Sequence, residues 1–229
     1  MNNIKLNTNK ILLSICIPSI TNRLRLGLEP IIAKLSCQIQ DSKEVEVISL
    51  VDNKSMSVGR KRQALFQLAR GKFVCQIDDD DDVEDDFVKT VLDTIKSFSE
   101  DDLPEVISYE QICDMDGSIM FVECGVGYRA DNNWEYDEVK KRTVTRRCPW
   151  HWCCWRNDIA KLGEFYDCNG VEDGLFPRQM KSIVTKEFNI PKVLIKYKFR
   201  TSATQSPYFQ IDPKNPPKIC SLKINENEQ

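Results

Sequence analysis

Three short apolar segments near the start of the chain alternate with amphipathic ones. Residues 11–17, 45–51 and 73–77 are rich in β-branched side chains, the pattern of strands that are covered on both faces in a parallel sheet. From Val58, apolar residues recur at helical spacing, and Gly71 follows where a C-terminal cap is expected. The order strand, helix, strand, helix, strand therefore predicts an α/β fold with a mostly parallel sheet flanked by helices.

The second half of the chain has a mixed pattern. Residues 84–98 carry another amphipathic stripe and predict a helix packed on the sheet. Asp116-Gly117 is a strong hairpin signal, because glycine tolerates positive φ. The remaining predicted elements are strands at 105–115, 118–124 and 193–199 and helices at 156–162 and 172–183. Pro177 interrupts the last pattern and should kink that helix or mark its true start.

Composition narrows the class of protein. The chain has 229 residues, 41% of them hydrophobic, and no apolar run reaches the ~18 residues of a transmembrane segment. The first apolar stretch ends at Pro18 and is too brief for a signal peptide, so we expect a cytoplasmic protein. The formal net charge of −3 argues against a nucleic-acid partner. Residues 201–229 contain four prolines and little periodicity, which predicts an extended or partly disordered tail.

The ten cysteines are expected to be free thiols in a reducing compartment. Several lie inside apolar runs, where a thiol behaves as a small buried hydrophobe. The cysteines and the single histidine within residues 148–168 lack the paired C-x2-C spacing that favours a tetrahedral zinc site. A structural zinc ion is therefore not expected.

Charge is distributed unevenly along the chain. Residues 78–86 are almost entirely acidic, and residues 140–147 are predominantly basic. A solvated surface is the simplest interpretation of each run. For the basic run, a solvated surface and a binding role agree equally well with the sequence. The acidic run differs because it directly follows an apolar strand, where a ligand site is expected.

Polar residues follow each of the three predicted parallel strands. In an open α/β sheet, ligands bind beyond the carboxyl ends of the strands. The positions there are Pro18, Ser19, Asp52, Asn53 and residues 78–82. Asp78 and Asp80 project to the same side of an extended segment and suit Mg²⁺ or Mn²⁺ that also takes phosphate oxygens from a nucleotide. The rival interpretation is a solvated loop that caps the next helix, and Asp81 or Asp82 could share the metal role.

Three segments, taken in order, resemble the family 2 glycosyltransferases with the GT-A fold. LLSICIPSITNR is similar to the family's first strand, which ends in a proline and a small hydroxyl residue. GRKRQALFQLARGKFVCQIDDDDD is similar to its arginine, helix, glycine, strand and D-x-D pattern. CPWHWCCWRNDIAKLGEFYDCNGVEDGLF is similar to the later region, where an arginine-led helix leads to a Glu-Asp pair. The resemblance covers about residues 11–200.

The resemblance implies a GT-A (Rossmann-like) domain over residues 1–200, followed by the tail at 201–229. Its donor half would lie at about 11–100 and a smaller, mixed acceptor half at about 101–200. The implied activity is metal-dependent, inverting hexosyl transfer from a nucleotide sugar, with a UDP-sugar favoured. The acceptor would be the hydroxyl group of a glycan or another molecule, and the cofactor would be Mn²⁺ or Mg²⁺.

The resemblance also implies a nucleoside pocket. Pro18 and Ser19 would border it, and Asp52 with Asn53 would meet the uracil. Members of the family commonly carry two acids at the second position, so Asn53 is a departure from the pattern. The identity of the base is correspondingly open.

Further implied roles concern the metal and the diphosphate. Asp78 and Asp80 would contact ribose and metal, with Asp79 as an additional donor contact. Arg62, like its neighbours Arg60 and Lys61, could steer the diphosphate, although basic residues at a helix start commonly point into water.

Glu172 and Asp173 form the second acidic pair. Inverting transfer needs a base that removes the proton of the acceptor hydroxyl while that oxygen attacks the anomeric carbon. The family pattern, and not the spacing, assigns this role to Asp173 rather than Glu172. The alternative is that both residues merely begin a helix at the end where its dipole favours negative charge.

His151, the single histidine, lies in the aromatic stretch PWHWCCW. A histidine often completes the metal site of GT-A enzymes late in the chain, but residues 197–206 contain none. His151 is therefore a candidate metal ligand or acceptor-site residue, against the simpler interpretation of a packed histidine.

Three other functions compete with glycosyl transfer. A degenerate GT-A domain would bind nucleotide or glycan without turnover, but should lack a usable base. A nucleotidyltransferase typically has a glycine-rich phosphate loop near its first strand, and residues 15–27 offer one glycine. A calcium-binding module would need a glycine within its acidic loop, and residues 78–86 contain none.

Overall fold

A mixed β-sheet flanked by helices forms the framework of the protein. The computed structural model describes residues 10–130 and 132–199, and ten strands of this part belong to one sheet. The strands are β1 Leu13–Ile20, β2 Val45–Asp52, β3 Phe73–Gln76, β4 Asp82–Val83, β5 Val106–Met115, β6 Ser118–Arg129, β7 Trp134–Asp137, β8 Arg142–Arg147, β9 Cys154–Arg156 and β10 Glu187–Phe199. The α-helices are α1 Glu29–Ile39, α2 Val58–Leu68, α3 Phe87–Lys96, α4 Asn157–Ala160 and α5 Glu172–Met180.

The sheet is parallel over β2-β1-β3 at one side and mixed beyond β3. Its order is β2-β1-β3-β9-β5-β6-β8-β7, and β10 lies beside both β5 and the short β4. Strand β1 runs parallel to β2 and β3, and β10 runs parallel to β5. Because β9 is antiparallel to both β3 and β5, those two strands share one direction. The predicted α/β fold class, with a mostly parallel sheet flanked by helices and a smaller mixed region, is confirmed.

The interior strands are buried as the sequence predicts. Strand β1 is buried along seven of its eight residues and β3 along all four. Side chains on both faces of β1 are removed from water, which explains its continuous apolar pattern. Edge strand β2 is only partly buried.

An aromatic cluster packs α2 against the segment that leads into α5. The ring of Phe66 lies 5.4 Å from Phe165 and 5.7 Å from Phe176, and the rings of Phe165 and Phe176 stack at 4.5 Å. The start of α2 is equally close to this segment, since a Cβ at Gly59 would lie 1.8 Å from the carbonyl oxygen of Tyr166. These contacts fix the first turn of α5 relative to α2.

The second half departs from several predicted element bounds. Strand β10 begins at Glu187, six residues before the predicted strand at 193–199. The predicted helix at 156–162 is reduced to α4, because Arg156 pairs with β3 as part of β9. Helix α5 begins at Glu172 and contains Pro177, so Pro177 does not mark its true start. The Asp116-Gly117 hairpin is confirmed, with φ of 50° and 92°. The predicted tail lies outside the described residues.

The basic run lies on β8 and the turn before it, where it meets acidic side chains of neighbouring strands. Arg142 contacts Glu110 at 2.8 Å and Glu123 at 2.7 Å. Arg146 contacts Glu123 at 3.1 Å and also pairs with Asp137. The run is therefore largely neutralised by β5, β6 and β7 and is not a free basic patch.

The nine cysteines of the described part are all free thiols, as expected. Seven of them are buried. Among the helices of residues 10–130 and 132–199, none has the length and apolar character needed to cross a bilayer.

Candidate active site

The carboxyl ends of β1, β2 and β3 lie side by side at one edge of the sheet. Ser19 is the next-to-last residue of β1, Asp52 ends β2, and Asp78 follows β3 by two residues. Pro18 is buried in β1 beside Ser19. The hydroxyl of Ser19 donates a 2.6 Å hydrogen bond to Oδ2 of Asp79, which links the ends of β1 and β3 directly. The positions predicted from the strand ends are therefore neighbours.

Asp52 is held within a network of its own loop. Lys61 Nζ donates to Asp52 Oδ1 at 2.6 Å and to the carbonyl of Ser19 at 2.8 Å. The other carboxylate oxygen accepts from the backbone N–H of Met56 at 2.6 Å. Burial opposes ionisation, but these hydrogen bonds outweigh it and lower the pKa of Asp52 to about 2. Asn53 next to it is exposed. Asp52 is thus a fixed, ionised hydrogen-bond acceptor.

Asp79 and Asp80 share one arginine. Asp79 is 3% exposed, and its Oδ1 accepts from Arg23 Nη1 at 2.9 Å. The same Nη1 lies 3.0 Å from Oδ2 of Asp80, which is 50% exposed. Burial and the charge of Asp78 raise the pKa of Asp80, and Arg23 offsets part of this rise. Asp79 is thus satisfied within the protein, while Asp80 keeps a face toward solvent.

Arg62 connects the acidic run to the second acidic pair. Its Nη2 lies 2.8 Å from Asp78 Oδ1, and its Nε donates to Glu172 Oε1 at 3.3 Å. Its Nη1 donates to the side chain of Gln76 at 3.2 Å. Burial opposes ionisation of Asp78, but Arg62 and His151 hold the pKa of Asp78 well below its usual range. One buried guanidinium thus joins the end of β3 to the start of α5.

Glu172 and Asp173 differ in environment. Glu172 is 3% exposed and accepts from the backbone N–H of Gly170 at 2.7 Å. Burial raises its pKa to about 7 although Arg62 opposes the rise, and the charge of Asp173 adds to it. Asp173 is partly exposed at the first turn of α5. Its negative charge also helps to raise the pKa of Arg62, against the effect of burial, so Asp173 lies close to this network.

His151 lies against the same carboxylate as Arg62. Its side chain is 1% exposed, and Nε2 lies 3.7 Å from Asp78 Oδ2. Neither ring nitrogen has a hydrogen-bond partner among the described residues. Burial and the charge of Arg62 lower the pKa of His151, and Asp78 only partly opposes this. The imidazole is therefore neutral at physiological pH, which is the state that can bind a metal ion.

The side-chain oxygens and nitrogens beyond β3 are of the types that divalent cations take as ligands. In the part of the chain that the structure describes, no group of three or more His, Cys, Asp or Glu side chains is already arranged to hold a metal. Among the buried side-chain atoms of the described residues that lack a hydrogen-bond partner are both nitrogens of His151 and both carboxylate oxygens of Asp81, which follow or face the end of β3. Unpartnered buried polar atoms are rare in proteins and indicate a missing ligand or water. With half-exposed Asp80, they supply oxygen and imidazole donors of the type that Mn²⁺ and Mg²⁺ accept.

Two basic residues of the site were not predicted in their observed positions. Lys61, expected to steer a diphosphate or point into water, is buried and pairs with Asp52. Arg23, which no pattern singled out, pairs with aspartates 56 and 57 positions later in the chain. Its only signal was its place at the end of the segment LLSICIPSITNR, directly after β1. Arg60 is 51% exposed, as expected of a basic residue at a helix start.

Comparison with known proteins supports the fold. No family model matches the chain, and no curated protein shows significant sequence similarity. Among solved structures, S. aureus TarS 1-349 in complex with UDP-GlcNAc matches with a TM-score of 0.56 and 13% identity, over 86% of this chain and 62% of that one. The complex of the same protein with UDP matches with a TM-score of 0.57 and 14% identity, over 82% and 61%.

This likeness is one of fold, because the identities are so low. The chain spans about 60% of the length of the TarS 1-349 structures that it matches. The fold of this chain is therefore shared with a protein that binds UDP and UDP-GlcNAc.

Proposed function

We propose that the protein is a metal-dependent, inverting glycosyltransferase that moves a hexosyl group from a nucleotide sugar, favouring a UDP-sugar, to a hydroxyl acceptor. The observation that carries this proposal is the bridge made by Arg62 between Asp78 and Glu172. It holds the carboxylates at the donor edge of the sheet and the acidic pair of α5 in one site. A surface loop that merely capped α3 would not need a buried guanidinium to join it to a helix about 90 residues later.

The proposed reaction assigns the proton to Asp173. The acceptor oxygen forms a bond to the anomeric carbon as the bond from that carbon to the diphosphate oxygen breaks. The acceptor proton passes to Asp173, which is partly exposed and can reach a bound hydroxyl. Glu172 is turned inward to Arg62 and Gly170, so its role is to position the start of α5.

Asp80, Asp81 and His151 would hold Mn²⁺ or Mg²⁺. The bound cation would stabilise the charge of the departing diphosphate. Asp78, fixed by Arg62, would then face the ribose rather than serve as the main metal ligand. The support for this division is that Asp78 is already paired with the cation of Arg62, whereas the side chains of Asp81 and His151 have no hydrogen-bond partner among the described residues.

The nucleoside would lie over the ends of β1 and β2. Ser19 and Pro18 would border it, and the fixed carboxylate of Asp52 would accept the imide N–H of uracil. A UDP-sugar is favoured because the fold is shared with TarS, which was solved with UDP and UDP-GlcNAc. The acceptor is proposed as a class, the hydroxyl of a glycan or another molecule.

Calorimetric titration of UDP tests the donor site. We expect UDP to bind the wild-type protein with Mn²⁺, to bind much more weakly with a chelator, and to lose the metal effect in Asp80→Asn. Asp85→Asn is the matched control, because Asp85 belongs to the same acidic run but is 94% exposed. If folded wild-type protein bound no nucleoside diphosphate with Mn²⁺, the proposed donor site would be wrong.

A further inference from the structure

Arg23 occupies the most accessible carboxylate of the proposed cation site. It closes a 3₁₀ turn, Thr21–Arg23, directly after β1, and a π-helical turn, Leu24–Leu28, follows it. Single π-helical turns are rare in proteins, and many of those that occur lie at functional sites. The turn is held against the acidic run, since a Cβ at Gly27 would lie 2.9 Å from the carbonyl oxygen of Asp79.

The two ion pairs of Arg23 differ in the free energy needed to break them. Asp79 is buried, and its other oxygen is taken by Ser19, so the contact with Arg23 neutralises a charge that has no access to water. Asp80 is half-exposed and can exchange Arg23 for another cation. Buried pairs are costly to break, whereas exposed pairs contribute little. Arg23 is therefore anchored by Asp79 and is free to leave Asp80.

A divalent cation bound to Oδ2 of Asp80 would lie close to the guanidinium of Arg23. A Mg²⁺–carboxylate bond is about 2.0–2.1 Å long, and Arg23 Nη1 lies 3.0 Å from the same oxygen, so the two positive charges would repel each other there. The Nε and Nη2 groups of Arg23 have no hydrogen-bond partner among the described residues, and the side chain is 41% exposed. A guanidinium with free N–H groups matches the oxygens of a phosphate in two parallel hydrogen bonds.

We propose that Arg23 is a diphosphate-binding residue of the donor site, which neutralises Asp80 until a divalent cation displaces it. This inference rests on the proposed function, since the diphosphate is that of the nucleotide donor. Arg23 remains on Asp79 throughout and turns its free N–H groups to the phosphate oxygens as the cation takes Asp80. The protein thus exchanges one positive charge for another at the same carboxylate.

The exchange predicts opposite effects on two ligands. In Arg23→Gln, we expect Mn²⁺ alone to bind about three-fold more tightly, because its competitor at Asp80 is gone. In the same variant with saturating Mn²⁺, UDP should bind about ten-fold more weakly, because charge-assisted hydrogen bonds to phosphate are lost. Arg25→Gln is the matched control, since Arg25 is exposed two residues later and has no ion pair among the described residues. It should change neither affinity.

Electron paramagnetic resonance of free Mn²⁺ measures the first affinity and calorimetry measures the second. Arg23→Lys keeps a positive charge beside buried Asp79 and should fold even if the glutamine variant does not. It should still lose UDP affinity, because a lysine cannot make the paired hydrogen bonds. Thermal unfolding and circular dichroism establish that each variant is folded.

Wild-type and Arg23 variants with equal affinities for Mn²⁺ and for UDP would overturn the proposal. Absence of UDP binding by the wild-type protein with Mn²⁺ would overturn the donor site itself, and the role of Arg23 with it. The two failures are distinguishable, because only the first leaves the wild-type protein able to bind UDP.

Discussion

Nε of Arg62 lies 3.3 Å from Oε1 of Glu172, and the two side chains are only 4% and 3% exposed. A buried charged pair is stable only while both partners are present, because an isolated charge cannot be solvated there. Burial raises the pKa of Glu172 to about 7, so below that pH Glu172 binds a proton and the cost of burying its charge is reduced. The link between α2 and α5 therefore changes its charge in the physiological range of pH.

Stability should fall as the pH rises toward neutrality because of Glu172. The native state binds a proton on Glu172 that the unfolded state releases near pH 4.5, so protonation favours the native state up to its folded pKa of about 7. Between these values, the free energy of unfolding of the wild type should fall relative to Glu172→Gln, by up to about 3 kcal/mol. Urea unfolding at several pH values between 4.5 and 7.5 measures the difference.

Glu138→Gln is the control for this experiment, because Glu138 is 79% exposed. Its stability should follow that of the wild type at every pH. Parallel curves for Glu172→Gln and the wild type would show that Glu172 ionises normally and that the buried pair is not coupled to protons.

Gly59 should not tolerate a side chain. A Cβ at this position would lie 1.8 Å from the carbonyl oxygen of Tyr166, and backbone cannot yield as a flexible side chain does. We expect Gly59→Ala to destabilise the protein by at least about 2 kcal/mol in urea or thermal unfolding. In Gly174→Ala, where nothing lies within 4 Å of the new atom, stability should stay equal or rise. A tolerated Gly59→Ala would contradict the described packing of α2.

Sequence patterns predicted the strands that are rich in apolar side chains. The strands at 11–17, 45–51 and 73–77 correspond to β1, β2 and β3. Burial on both faces was correctly predicted for β1 and β3 but not for β2, which lies at the edge of the sheet and is only partly buried. Strands β7 and β8 were missed for a physical reason: their polar side chains, such as Arg146 and Asp137, satisfy one another across the sheet. Strands that are paired in this way show no alternation of apolar and polar residues in the sequence.

The sequence predicted which positions form the candidate site, but not which basic residue pairs with which carboxylate. Strand ends indicated Ser19, Asp52 and Asp78, since parallel strands bring their carboxyl ends together. The partners of these residues come from distant positions, such as Arg62 for Asp78 and Lys61 for Asp52. Local patterns hold no information on which basic residue turns inward, and so Arg23 was not found.

Lys61 should stabilise the fold through Asp52. Removal of its ammonium group in Lys61→Met leaves Asp52 without its buried cation, and we expect a loss of about 3 kcal/mol. The double variant Lys61→Met, Asp52→Asn should recover part of that loss, because the uncompensated charge is gone. Arg60→Met, one residue earlier and 51% exposed, should be close to neutral. Strictly additive effects would mean that Lys61 and Asp52 are not coupled.

His151 should contribute to metal affinity without contributing to the charge of the site. His151→Phe keeps an aromatic ring between Trp150 and Trp152, whose centroids lie 5.2 and 5.3 Å away, but removes both nitrogens. We expect the variant to fold and to bind Mn²⁺ with UDP about ten-fold more weakly. Calorimetry of the ternary complex measures this. Unchanged Mn²⁺ affinity would make His151 a packing residue only.

Substitution of Asp173 distinguishes an active transferase from a domain that only binds nucleotide. Because Asp173 is partly exposed while Glu172 is engaged with Arg62, substitution of Asp173 should leave the donor site intact. We expect Asp173→Asn to bind UDP with Mn²⁺ as the wild type does. Turnover of whichever UDP-sugar the wild type consumes should fall by about 10²- to 10⁴-fold, the typical contribution of a general base. Equal turnover by Asp173→Asn would exclude Asp173 as the base, and wild-type protein that binds UDP but consumes no nucleotide sugar would favour a binding domain.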